Sequence, residues 1–106
     1  MATGRLGVAD LAAATNTPLY TVPADTFSVV TLSICNRGNA AITVRVAVAS
    51  AATPTNAEFI EYDTEILAKG VLERTGIVMD PNKILVVRTS ATNVSAVAMG
   101  IETSTV

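Results

Sequence analysis

The hydrophobic residues between positions 27 and 49 follow the period-2 pattern of β-strands. In the second half of this stretch, large apolar residues alternate with smaller or polar ones: Ile42, Val44, Val46 and Val48. Such alternation is typical of a strand that buries one face. The preceding run, Phe27–Asn36, is also rich in β-formers, and Asn36-Arg37-Gly38-Asn39 between the runs has turn-forming residues. The pattern therefore predicts a β-hairpin that turns at this tetrapeptide.

Similar short runs recur along the chain and are separated by turn signals. They predict strands at Leu19–Val22, Phe27–Asn36, Ile42–Ala49, Glu58–Tyr62, Val71–Met79, Ile84–Thr89 and Val94–Glu102. A helix across Glu58–Lys69 is the alternative for one segment, but Asp63-Thr64 interrupts its apolar stripe. Gly76 and Gly100 fall inside strand patterns, where bulges or close backbone approach explain glycine. We therefore expect an all-β fold: a single antiparallel β-sandwich, jelly-roll or immunoglobulin-like, of about seven or eight short strands.

The chain of 106 residues has the length of one domain. Residues 1–14 are rich in Ala and Gly and predict either an extended N-terminal arm or a first strand near Leu6–Ala12. Residues 15–106 would form the sandwich. The amino terminus lacks a continuous hydrophobic segment and carries Asp10, so we do not expect a signal peptide.

Both faces of the strand Phe27–Asn36 are uncharged, which predicts contact with the core on one side and with a partner on the other. One face carries Val30, Leu32 and Ile34, and the other carries Phe27, Val29, Thr31, Ser33 and Cys35. Hydrophobic residues make up 50% of the chain and charged residues only 15%, so apolar surface exceeds what a small monomer buries. Many of these residues are Ala, however, and contribute little area. We expect a homo-oligomer whose candidate interface residues are Phe27, Val29, Thr31 and, on the second strand of the hairpin, Arg45.

The titratable residues do not form a pattern that predicts catalysis. The chain has no His, and the serines therefore lack a base. Its single Cys35 lies within a strand pattern and is interpreted as a semi-buried structural thiol. Tyr20 and Tyr62 are interpreted as residues packed at the edge of the core. Arg45 and Arg88 lie on apolar strands, and each is expected to pair with a carboxylate across a sheet or an interface. We expect neither an enzyme nor a cofactor.

Charge and hydropathy exclude further classes of function. The formal net charge is −2 and the basic residues are scattered, so nucleic-acid binding is not expected. No apolar run approaches the roughly 20 residues of a membrane helix, so no membrane partner is expected. Four carboxylates cluster at Glu58, Glu61, Asp63 and Glu65, and the last three would share one strand face. Because their spacing matches no ion-binding loop, we interpret them as a solvated edge rather than a metal site.

Four segments together resemble the small virion structural proteins of tailed bacteriophages. They are LYTVPA (19–24), ICNRGNAAITVRVAVA (34–49), EFIEYDTEI (58–66) and ILVVRTSATNVSAVAMGIE (84–102). The resemblance covers most of residues 16–102 and implies a structural role in the virion, which is assembled in the host cytoplasm. Within this family it points first to a capsid decoration (cement) protein that binds the major capsid protein and forms a homo-oligomer, with a trimer favoured.

Two other functions stay open at this point. A tail, baseplate, neck or fibre-attachment component would share the same kind of sheet. A carbohydrate-binding module would need an exposed aromatic platform or a calcium site. Aromatic residues make up only 4% of the chain, which disfavours the platform.

Overall fold

A computed structural model describes residues 2–106 and consists of eight β-strands with one short 3₁₀ turn at Asn56–Glu58. The strands are β1 Thr3–Leu11, β2 Thr17–Thr21, β3 Thr26–Asn36, β4 Ile42–Ala49, β5 Phe59–Ile66, β6 Val71–Met79, β7 Ile84–Thr89 and β8 Val94–Ser104. The alternative helix across Glu58–Lys69 is wrong, because this segment forms β5. No helix in the described part of the chain is long and apolar enough to cross a membrane.

The strands form two four-stranded sheets, and every ladder between them is antiparallel. Sheet A has the order β1-β8-β3-β6, and sheet B has the order β2-β7-β4-β5. The prediction of an all-β, antiparallel fold is confirmed at this level. The two sheets lie against each other in a sandwich-like arrangement, with β1 and β2 along one side and β5 and β6 along the other.

The predicted hairpin between β3 and β4 is wrong, because these two strands lie in different sheets. β3 pairs with β6 and β8, whereas β4 pairs with β5 and β7. The five residues 37–41 cross from one sheet to the other. The alternation in each strand correctly identified its buried face, but burial does not determine which strand is the hydrogen-bonded neighbour.

The side chain of Asn36 holds this crossing in place. It is fully buried, and its amide nitrogen donates to the carbonyl oxygens of Ala40 at 2.8 Å and of Ile66 and Leu67 at 3.2 Å each. Its Oδ1 accepts the backbone N–H of Gly38 at 3.0 Å. One side chain thus ties the end of β3 to the crossing segment and to the turn after β5.

The core lies between the two sheets and is built from the inward residues of both. β3 contributes Val30, Leu32 and Ile34, and β4 contributes Ile42, Val44 and Val46, all of which are buried. A second, smaller cluster lies on the outer side of sheet B, where Phe59 and Ile84 pack against Ala47, Ala49 and Val86. The predicted core face of β3 is therefore correct.

Residues 3–11 form the edge strand β1, which pairs with β8 over its length. Of the two alternatives for residues 1–14, the structure has the first strand, β1, rather than an extended arm. Residue 1 lies outside the described residues. Near this edge, the buried Tyr20 hydroxyl donates to Glu102 at 2.5 Å, and the Ser28 hydroxyl lies 2.7 Å from it. Burial, followed by the Glu102 carboxylate, raises the pKa of Tyr20 to about 12.

The two strand glycines have the roles expected of them. The register of β3 against β6 shifts between Val30 and Leu32, and Gly76, which lies in this irregular stretch, adopts a φ of 69°. Gly100 passes so close to β3 that an added Cβ would lie 2.0 Å from the carbonyl oxygen of Val29. These positions are a bulge and a close backbone approach, respectively.

Candidate interaction surfaces

The outer face of sheet A carries three of the four candidate interface residues. Along β3 the burial alternates strictly, with even-numbered residues buried and odd-numbered residues half-buried. Phe27, Val29 and Thr31 are therefore side by side on the surface that points away from the core. Cys35 lies on the same face and is a half-buried free thiol, as predicted.

The neighbouring strands extend this face with further apolar side chains. Val29 lies directly opposite Ile101 of β8 on one side and Val78 of β6 on the other, and opposite residues in antiparallel strands share a face. Ile101 and Val78 are 49% and 68% exposed, and Val8 of β1 is 57% exposed. Sequence reasoning missed these three residues, although they occupy outward positions in predicted strands. The result is an apolar surface across all four strands.

Two charged residues border this apolar surface at opposite edges of sheet A. Arg5 of β1 lies opposite Met99, and Glu73 of β6 lies opposite Ser33. Within residues 2–106 neither side chain forms an ion pair. Asp10 of β1 shares the outer face with Val8 and is paired with Arg37, so the charge left over is positive at the β1 edge and negative at the β6 edge.

Arg45 does not belong to this surface, so the four predicted residues do not form one interface. It lies on β4 of sheet B, and its outward side chain points to the opposite side of the molecule. Its Nε and Nη2 donate to the two carboxylate oxygens of Asp63 at 2.7 and 3.2 Å. This bidentate contact lowers the pKa of Asp63 and raises that of Arg45. Arg45 therefore pairs with a carboxylate within its own sheet, which was one of the two expectations for it.

Aromatic side chains border Arg45 on the outer side of sheet B. Its guanidinium carbon lies 4.2 Å from the centre of the Tyr62 ring, a cation–π distance. Phe59 packs edge-on to Tyr62, with ring centres 5.0 Å apart. Tyr62 is 56% exposed, so the prediction that it packs at the edge of the core is wrong, whereas Tyr20 is buried as predicted.

A small cleft lies beside Arg45, at the end of β4 and β7. Arg88 of β7 is directly opposite Arg45 in the register, and both side chains line the cleft together with Ala14, Thr43, Asp63 and Ser90. The cleft has a volume of about 250 Å³. Arg88 forms no ion pair with any residue from 2 to 106, so the expected carboxylate partner for Arg88 is not within the described part of the chain.

The acidic residues predicted to share one face are separated by irregularities in β5. Val44 pairs with Thr64 and Val46 with Glu61, so β5 contains an extra residue in a stretch where Asp63 has a φ of 51°. Glu61 consequently lies on the core side and accepts a hydrogen bond from Arg74 of β6 at 2.5 Å, whereas Glu65 lies opposite Thr43 on the outer side. The expectation of one shared face is wrong, because a one-residue bulge reverses the face of all following side chains.

The remaining carboxylate of the cluster has a local structural role. Glu58 accepts the backbone N–H groups of Thr55 at 2.8 Å and Ser50 at 3.1 Å. These bonds lower its pKa and hold the loop between β4 and β5. Among residues 2–106, no three His, Cys, Asp or Glu side chains are grouped as metal ligands.

No protein-family model, curated protein or solved structure matches this chain.

Proposed function

We propose that this chain is a structural protein of a bacteriophage particle, most specifically a capsid decoration protein that stabilises the shell through subunit contacts. The observation that carries the proposal is the exposed apolar outer face of sheet A. Exposed apolar surface of this kind marks a protein–protein contact. The sequence resemblance of residues 19–24, 34–49, 58–66 and 84–102 to small virion proteins supplies the biological setting.

We further propose that the fold is a jelly roll rather than an immunoglobulin-like sandwich. The orders β1-β8-β3-β6 and β2-β7-β4-β5 support this type, in which eight strands form two four-stranded sheets joined by long-range connections. Jelly rolls occur in viral capsid proteins and in lectins. Fold analogy supports the jelly roll independently of the sequence resemblance.

We propose that other copies of this chain cover the outer face of sheet A. The four strands of sheet A lie about 4.8 Å apart, and each has about nine residues with a rise of roughly 3.3 Å per residue. The outer face of the sheet therefore has an area of roughly 600 Å². If three copies turn this face toward a common axis, its burial on every copy removes about 1,800 Å² in total, which is of the size of a specific interface. The area therefore suffices for a stable association between copies.

The charges at the two edges favour a cyclic arrangement of these copies. Arg5 lies on the β1 edge and Glu73 on the β6 edge of the same sheet. In a closed ring each copy places its β1 edge against the β6 edge of the next one, which brings opposite charges together. A trimer, as the resemblance implies, satisfies this geometry with the apolar side chains of β3 and β8 turned toward the axis.

The contact surface is tested by light scattering of the purified protein over a range of concentrations. Val29→Asp places a charge in the centre of the apolar face and should reduce association by at least tenfold. Leu67→Asp makes the same kind of change at a residue that is 65% exposed in the turn after β5, and should leave association unchanged. Equal association of wild type and a folded Val29→Asp variant would reject this face as the contact.

Charge-reversal variants test whether the β1 edge of one copy contacts the β6 edge of the next. Arg5→Glu and Glu73→Arg should each weaken the oligomer, whereas the double variant should restore it because the opposite charges face each other again. A double variant weaker than both single variants would contradict the edge-to-edge arrangement, although it would leave the contact through Val29 intact.

The particle location is tested separately, by the copy number of the protein in purified virions and by cryo-electron microscopy. Hundreds of copies distributed on the shell are expected for a decoration protein. A handful of copies with density on the tail or neck would support a tail, baseplate, neck or fibre-attachment component instead. Complete absence from virions would overturn the structural role.

A further inference from the structure

The cleft beside Arg88 is lined by the donors Arg45 and Arg88, by hydroxyl groups and by the acceptor Asp63, and within residues 2–106 one of its two guanidinium groups forms no ion pair. Arg45 and Arg88 are directly opposite residues on neighbouring strands, an arrangement in which like charges repel. Asp63 neutralises Arg45 through two hydrogen bonds at 2.7 and 3.2 Å. Arg88 lines the same cleft and forms no ion pair with any residue from 2 to 106, and the nearby Glu65 lies on the outer side of β5 opposite Thr43.

Two hydroxyl groups add donors near this positive charge. Ser90 Oγ accepts the backbone N–H of Thr43 at 3.0 Å, so its own O–H proton can be donated to another group. Thr43 lies outward on β4, and its side chain lines the same cleft. The backbone N–H of Ser90 is already used by the carbonyl oxygen of Thr43 at 2.9 Å. The ends of β4 and β7 are therefore held together while their hydroxyls face the cleft.

We propose that this cleft binds one carboxylate group, with Arg88 as its principal partner and Ser90 and Thr43 as additional donors. A planar carboxylate can accept two parallel hydrogen bonds from a guanidinium. A single negative charge can pair with the Arg88 guanidinium, whereas a dianionic phosphate would face stronger repulsion from Asp63 at the wall of the cleft and from Glu65 opposite Thr43. The inference is independent of the proposed virion role, since it uses the opposite side of the molecule from the outer face of sheet A.

The same chemistry is available from a free carboxylic acid and from an acidic side chain on a partner protein. Two probes distinguish these sources. Acetate represents the free acid, and N-acetyl-glutamate amide represents a glutamate side chain within a polypeptide. Tighter binding of the second probe would identify a protein side chain as the natural occupant, and equal or weaker binding would identify a small acid.

The test is a titration of the full chain followed through the Nε–Hε NMR signals of its five arginines, at constant ionic strength maintained with sodium chloride. Acetate should shift the Arg88 signal in a saturable manner and leave the Arg5 signal on the other sheet unchanged. Inorganic phosphate should bind at least threefold more weakly than acetate. Arg88→Gln should abolish the saturable shift of the Ser90 backbone amide signal on addition of acetate. The matched variant Arg5→Gln should keep this shift.

A milder variant keeps the test valid if Arg88→Gln unfolds. Ser90→Ala retains the backbone bonds between Ser90 and Thr43 and should weaken acetate binding by roughly fivefold, as expected for one lost hydrogen bond. Shifts that grow linearly and equally at all five arginines would show non-specific ion association and overturn the proposal. Stronger binding of phosphate than of acetate would overturn the assignment to a carboxylate.

Discussion

Replacing Asn36 by Asp should destabilise this fold far more than the near-identity of the two side chains implies. The Asn36 amide nitrogen donates to three carbonyl oxygens at 2.8 to 3.2 Å, and the residue is fully buried. Asn36→Asp exchanges this donor for a carboxylate oxygen that faces the same three carbonyls. A buried charge without a partner costs about 4 kcal/mol, so we expect a loss of at least this size at pH 7.

Asn36→Ala separates the lost hydrogen bonds from the buried charge. It leaves the carbonyl of the buried Ile66 without the Asn36 donor, at about 1–3 kcal/mol, whereas the carbonyls of the exposed Ala40 and Leu67 can bind water. The loss should therefore be about 3 kcal/mol, including the small cavity. The predicted order of stability at pH 7 is wild type, then Asn36→Ala, then Asn36→Asp.

The two variants should also differ in their pH dependence. Burial among carbonyl oxygens raises the pKa of the introduced carboxyl above its unfolded value of about 3.9. The folded variant then holds the proton more tightly than the unfolded chain, so its penalty shrinks as the pH falls from 7 toward about 4. Protonation also restores one O–H donor. The penalty of Asn36→Ala should stay constant over this range.

Urea unfolding followed by far-UV circular dichroism measures both effects, and this method suits a chain without Trp. The wild type is measured at each pH, so that other titrating groups cancel in the difference. An Asn36→Asp penalty equal to that of Asn36→Ala at pH 7, or one that is independent of pH, would refute the role assigned to the Asn36 amide.

Three further predictions follow from particular contacts. Gly100→Ala should lower the free energy of unfolding measured in urea by about 3 kcal/mol, because its Cβ would lie 2.0 Å from the Val29 carbonyl oxygen. A loss below about 0.5 kcal/mol would show that β3 and β8 move apart at this position without cost. In a Tyr62→Phe variant, absorbance at 295 nm should report Tyr20 titrating near pH 12. Because this folded pKa exceeds the unfolded one, about 3 kcal/mol of stability should disappear between pH 10 and 12, and titration near pH 10 would contradict the burial of its hydroxyl. Alkylation of Cys35 by iodoacetamide should slow at least fivefold as the protein associates, and an unchanged rate in a confirmed oligomer would show that the outer face of sheet A stays open.

Much of the local structure could be predicted from the sequence, because side-chain alternation directly reports which face of a strand is buried. The predicted strands Ile42–Ala49, Val71–Met79 and Ile84–Thr89 coincide with β4, β6 and β7. The buried face of β3 was correct, and so was the outward position of Phe27, Val29 and Thr31. These features depend on neighbouring residues and on the period of the strand, both of which are visible in one sequence.

The pairing of strands was decided by the tertiary structure. Asn36-Arg37-Gly38-Asn39 has the composition of a hairpin turn, yet the chain crosses there between sheets and β3 pairs with β6 and β8. Backbone hydrogen bonds between distant strands carry almost no side-chain signal, so a turn sequence cannot distinguish a hairpin from a crossing. The buried bonds of Asn36 to residues 66 and 67 depend on contacts 30 residues away.

The same long-range pairing determined the surfaces. Arg45 was correctly predicted to point outward, but its sheet, and therefore its side of the molecule, depended on the crossing after β3. The irregular stretch around Asp63 separated Glu61 from Glu65 through a one-residue change of register, which no alternation pattern reveals in advance. The sequence by itself thus determined most of the strands and the buried faces of β3 and β4, because these are local properties of strands without a bulge on the predicted face. Only the tertiary structure decided which outward side chains share a surface, because that depends on which distant strands become neighbours.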